Sequence, residues 1–140
     1  MISLSLVEVL NGWNGNPGDS RIYLVRDGKL VFYVGKLERS IVDHILEHCG
    51  LEDNGRTPDR LGQLILDKAL ASNGWLVDLL DLEDCEPIIK AVTPMSKRVD
   101  SAQALFCLII YYRPCLNEKD NPNPVPLPER YKQMYNLPDD

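Results

Sequence analysis

The segment from Arg21 to His48, RIYLVRDGKLVFYVGKLERSIVDHILEH, limits what this chain can fold into more than any other. Strand-forming runs from about Arg21 to Arg26 and from Lys29 to Tyr33 flank Asp27-Gly28, a residue pair favoured where a tight hairpin needs positive φ angles. Directly afterwards Ser40 is a candidate N-cap for a helix in which Val42, Ile45, Leu46 and Cys49 recur at helical spacing, with Gly50 as its terminator. A hairpin followed at once by an amphipathic helix sets Tyr23 and Tyr33 on adjacent strands.

The rest of the chain supplies partners for that unit. Residues 2–9 alternate loosely and predict an edge strand, and NGWNGNPGDS from Asn11 is a dense cluster of turn residues. A second helix is expected to begin with Thr57 as cap and Pro58 at its first position. It would carry Leu61, Leu64 and Ile65 on one face and stop at Asn73-Gly74. WLVDLLDL, from Trp75, has the length and apolar content of a buried sheet strand. After an acidic, proline-containing stretch read as irregular, Asp100 or Ser101 can cap a last helix with Leu105, Leu108, Ile109 and Tyr112 as its stripe, stopped by Pro114. The expected fold is α/β (α+β), a small mixed β-sheet of three to four strands flanked by helices. One domain would span 1–117. The proline-rich tail, 118–140, would be extended, wrapping the domain or projecting towards a protein partner.

At 140 residues, one domain with a real core is the natural reading. The apolar runs are far shorter than the roughly 20 residues of a membrane helix. The sequence MISLSLVEVL has no basic leader, so a cytoplasmic location is expected. Cys49, Cys85, Cys107 and Cys115 lack paired spacing and read as reduced thiols rather than as a disulfide framework or a zinc site. The net charge of −6 opposes tight nucleic-acid binding by charge alone, although Arg21, Arg26, Lys29, Lys36 and Arg39 gather around the tyrosine strands.

Ile22-Tyr23, Tyr33-Val34-Gly35 and LIIYYRPCLN from Leu108, in an order of strand, strand, helix, helix, strand, helix, resemble the GIY-YIG nuclease family over roughly residues 21–117. The resemblance implies metal-dependent hydrolysis of DNA phosphodiester bonds, with Mg2+ or Mn2+ as cofactor. Tyr23 would help to deprotonate the attacking water, Tyr33 would support the site by hydrogen bonding, and Gly35 would let the backbone pass close to substrate. Lys36 stands where the family often carries a polar or basic residue. Asn117 matches the asparagine that fastens the last helix. The family's arginine and the histidine one turn later align with His44 and His48 if one residue is inserted after Gly35.

The sequence departs from that pattern where the chemistry needs charge. A neutral histidine at 44 lacks the guanidinium fork. The metal-binding glutamate position holds Leu105, and Gln103 points away from it by roughly 200° of helical rotation. Glu47, Glu38 and Glu118 are the carboxylates that could substitute. HILEH, from His44 to His48, also fits the H-x-x-E-H pattern of inverted zinc proteases, with Glu47 as base. The alternative to a nuclease is a GIY-YIG-like module without catalysis that binds a protein or nucleic acid.

Overall fold

The computed structural model describes residues 1–53, 55–68, 74–97 and 99–133. Its elements are β1 (Ile2–Ser5), α1 (Leu6–Leu10), β2 (Ile22–Asp27), β3 (Leu30–Lys36), α2 (Ile41–His48), α3 (Arg60–Lys68), β4 (Trp75–Leu80), α4 (Leu82–Val92), α5 (Ser101–Tyr112) and α6 (Glu129–Gln133). The strands form one sheet in the order β1-β4-β2-β3, which with its helices makes a small α+β fold. Every pairing is antiparallel, where the sequence reading expected a mixed sheet. The reason is topological: β3 and β4 run the same way, joined through α2 and α3, but β2 lies between them.

A bulge in the hairpin decides which side chains meet. Val25 pairs with Tyr33 and Arg26 with Val31, so Phe32 is an extra residue on β3. Phe32 and Tyr33 therefore both turn to the face that carries Tyr23 and Val25, against alternation. That face packs on Leu6 and Val9 of α1, Ile41 and Ile45 of α2, and Leu61, Leu64 and Ile65 of α3. The other face, with Ile22, Leu24, Val31, Val34 and Leu80, packs on α4 and α5. The four cysteines are buried free thiols, with Cys49 and Cys115 on the first face and Cys85 and Cys107 on the second, so they do not converge. Burial pushes the Cys49 and Cys85 thiols up to about 11. Among the described residues no helix is long and apolar enough to cross a membrane.

Several expected boundaries move, each for a local reason. The edge strand at the amino end stops at Ser5, because Ser5 and Glu8 form a capping box that starts α1. Asp59, rather than Thr57, caps α3: its Oδ1 accepts the Gly62 amide at 2.9 Å. The expected stop at Asn73 lies outside the described residues. The stretch after β4 is helical rather than irregular, launched by a second capping box between Asp81 and Asp84. Pro87, which has no N–H to donate to the Glu83 carbonyl, is tolerated inside α4 because both residues are exposed to water. Asp100 caps α5, whose buried side chains are Ala104, Cys107, Leu108 and Ile109, with Leu105 and Tyr112 only partly covered.

Beyond α5 the chain returns to the sheet. Arg113 adopts a left-handed conformation, and the Cys115 and Leu116 amides donate to the Val31 and Phe32 carbonyls at 3.1 and 2.9 Å. Asn117 continues this pairing with its side chain, accepting from the Val34 amide at 2.9 Å and donating to the Val34 carbonyl at 2.8 Å. The described part of the tail wraps the domain: Leu127 and Tyr131 are buried, and Tyr131 sits edge-on to Phe32 and bonds to Asp27. It is not wholly extended, since α6 forms in ERYKQ, which follows Pro128 and contains no proline. Asn117→Ala strands two backbone groups of Val34 together and should cost about 2 kcal/mol. A urea midpoint unchanged by this substitution would refute the clamp.

Candidate functional site

The site is built where β2, β3 and the C-terminal end of α2 converge. Tyr23 pairs with Gly35 across the hairpin, and its ring lies directly over the glycine. A Cβ at position 35 would fall 2.5 Å from the Tyr23 Cζ, so only glycine leaves the ring room. The Tyr23 hydroxyl then meets His48 Nε2 at 2.8 Å. His48 Nδ1 lies 2.5 Å from Asp59 Oδ2, and the Asp59 amide donates to the His48 carbonyl at 3.0 Å. Asp59 is held twice, by capping α3 and by facing His48. Since an ionised carboxylate only accepts, Nδ1 carries the proton, and in the neutral ring Nε2 is left to accept from Tyr23.

Burial raises the Tyr23 phenol well above its ordinary range, reinforced by Tyr33, Asp59 and Glu47, with Arg39 opposing. Burial alone would raise the Asp59 carboxyl as well. Hydrogen bonds from His48 and from the Gly62 and Leu61 amides, with the His48 charge, instead hold it below the usual value. Tyr33 packs edge-on to His48 with ring centroids 4.7 Å apart, and burial followed by Asp59 and Glu47 raises its phenol. Its place beside His48 follows from the bulge.

His44 is tied to the chain just before α2. Its Nε2 accepts the Glu38 and Arg39 amides at 3.1 and 3.3 Å, so this nitrogen is unprotonated and orders the turn before α2. Its ring stacks obliquely on Tyr23 at 5.0 Å. Burial, then Arg39 and His48, lower its pKa, against smaller opposing effects of Glu47 and Glu38. A histidine depressed in the folded state contributes stability that is complete above its unfolded value of 6.5 and is lost as pH falls below it, because the unfolded chain takes up the proton first. The stability advantage of the parent over His44→Gln should therefore shrink between about pH 7 and about pH 5.5. A constant difference in urea midpoints across that interval would contradict the buried neutral ring.

Around the tyrosines opens a cleft of about 530 Å³, lined also by Lys36, Glu38, Arg39, Glu47, Arg56 and Thr57. Glu47 pairs on both sides: Oε2 with Arg39 Nη2, and Oε1 with Arg56 Nη1 at 2.6 Å. Lys36 lies 3.6 Å from Glu38. Glu118 lines a neighbouring cleft of about 480 Å³, which shares Tyr33 and Asp59 with the first. The fold thus gathers Tyr23, Tyr33, Gly35, Lys36, His44 and His48. Ile22 and Val34 pack on the opposite face, as does Leu105, at the position of the family's glutamate. Sequence reasoning missed Asp59 and Arg56 as site residues and treated Arg39 only as part of a basic cluster. An Asp three residues before Gly62, just ahead of an apolar stripe, was the available cap signal for Asp59.

The donor set does not fit the magnesium or manganese ion that the resemblance implies. Each Glu47 oxygen faces a guanidinium, and the Asp59 oxygens face His48 and the Gly62 amide. Among the described residues no three His, Cys, Asp or Glu side chains are grouped to hold a metal ion. The zinc arrangement suggested by HILEH fails for the same reason: His44 Nε2 faces two amides, and both His48 nitrogens are engaged.

Family models, curated proteins and solved structures yield no match to this chain. The site's own chemistry is a Tyr23–His48–Asp59 hydrogen-bonded chain at the wall of a cleft that also holds Lys36, Arg39 and Arg56.

Proposed function

We propose that this chain is a GIY-YIG-like nuclease domain that hydrolyses DNA phosphodiester bonds in this cleft. The observation that carries the reading is the Tyr23–His48–Asp59 chain, set in the wall of a cleft that three basic side chains also line. A free Tyr23 phenolate is disfavoured by the raised phenol, so the hydroxyl works as a relay. It accepts a proton from the attacking water while passing its own to His48 Nε2, and Asp59 stabilises the resulting imidazolium. Lys36, Arg39 and Arg56 are the groups available to the charge that grows on the phosphoryl oxygens. Tyr33 and Gly35 shape the wall, and His44 positions Tyr23 and the preceding turn.

The balance of charge in the cleft favours a second reading, a GIY-YIG-like module that binds a nucleic-acid or protein partner without cutting. Lys36, Arg39 and Arg56 share the cleft with Glu38, Glu47 and Asp59, and the chain as a whole carries −6. The buried free thiols support a reducing, cytoplasmic setting for either activity. The deciding experiment offers single-stranded, duplex and branched DNA to the folded protein with Mg2+, with Mn2+ and with chelator. Cutting of any substrate sustains the nuclease reading. Binding without cutting under all three conditions transfers the site to the module reading.

A further inference from the structure

We propose that Arg39 and Arg56 form a two-arginine phosphate clamp, which Glu47 occupies until a ligand phosphate displaces it; this rests on the phosphodiester reading of the same cleft. Glu47 offers one oxygen to each guanidinium, Oε2 to Arg39 Nη2 and Oε1 to Arg56 Nη1 at 2.6 Å. Two arginines arranged around a pair of geminal oxygens also suit the two non-bridging oxygens of a phosphodiester, which guanidinium groups recognise through paired hydrogen bonds. Glu47 stands in for that ligand.

The surroundings single out Glu47 as the carboxylate that can leave. Asp59 is tied to His48 and to the first turn of α3, so moving it would dismantle the α2–α3 junction. Glu38 faces Lys36, outside the clamp. The Glu47 side chain is 33% exposed and those of Arg39 and Arg56 are 41% and 66% exposed, and ion pairs this open to water are weakly held. Arg39 keeps its position when Glu47 swings out, because Glu52 Oε1 at 2.7 Å and the Asp43 carbonyl at 3.3 Å also accept from it. Departure of one negative charge converts a balanced lining into a positive one next to Tyr23 and His48. Anion binding is thus limited by an internal competitor on α2.

The test reads binding alone. Inorganic phosphate is titrated calorimetrically, and a short fluorescein-labelled single-stranded oligonucleotide by anisotropy, into the parent, Glu47→Gln, Arg56→Ala and the Glu47→Gln/Arg56→Ala double variant, each first checked for an unchanged thermal melt. Glu47→Gln, which removes the competing charge at nearly constant shape, should tighten binding by about three- to fivefold. Arg56→Ala should weaken it, and the double variant should lose the gain. Tightening towards both probes assigns the clamp to phosphate generally, and towards the oligonucleotide alone assigns it to chain phosphodiesters. Unchanged or weaker binding of both probes by Glu47→Gln overturns the proposal. Because no cleavage is measured, a clamp that behaves as described in a protein that never cuts DNA would sink the nuclease reading and leave the clamp standing.

Discussion

Tyr23→Phe should reduce DNA cleavage by about a hundredfold or more while leaving the protein folded. The substitution removes one oxygen and nothing else from a ring that is packed against Gly35 and buried in the core. What disappears is the hydroxyl that meets His48 Nε2, and with it the relay proposed to carry a water proton to the imidazole. The structural cost is one hydrogen bond, about 1 kcal/mol, because the apolar contacts of the ring persist. Cleavage rate and urea midpoint, measured on the same preparation, separate the two effects. A rate equal to the parent's would remove Tyr23 from the mechanism, and a collapse of the midpoint would make it a packing residue.

Gly62→Ala should destabilise the fold by about 3 kcal/mol or more. A Cβ at this position would lie 1.7 Å from the His48 carbonyl oxygen, 2.3 Å from its carbon and 2.8 Å from the Cys49 Cα. All three are backbone atoms, so no side-chain rotation relieves the clash and α3 must move off the end of α2. In an isolated helix the same change would stabilise by about 1 kcal/mol, because alanine is the better helix former. The sign of the measured effect therefore discriminates sharply. Loss of stability, accompanied by loss of cleavage as Asp59 is pulled from His48, is the expected outcome. A variant as stable as the parent would refute the close approach of the two helices.

Local signals made the hairpin, α2, β4 and α5 readable, since turn residues, caps and periodicity act over a few residues. Non-local pairing hid the rest. Nothing in LVFYVGK announces that Phe32 is an extra residue, because a bulge is a property of two strands together, yet it is what brings Tyr33 beside His48. In α4 the acidic run and Pro87 masked a capping box whose Asp81 and Asp84 spacing was visible. In the site, Tyr23 and His48 were found through resemblance, whereas Asp59 and Arg56 sit beyond α2, where Gly62 lets α3 dock close to the end of α2. At His44 residue type did not show that one ring nitrogen is turned onto two amides of its own chain.

The backbone pairing of Cys115 and Leu116 with β3, and the Asn117 clamp on Val34, also govern when this protein becomes safe from its neighbours. The hairpin can close soon after synthesis, but the outer rim of β3 waits for residues 83 positions later in the chain. Until they arrive, a short strand rich in valine and aromatic residues offers unsatisfied amides and carbonyls to any other copy nearby. A nascent or truncated chain ending at Arg113 would hold most of the cleft's side chains and still be a template for self-association. The last residues of the α5 connection are thus a seal against aggregation as much as a part of the core.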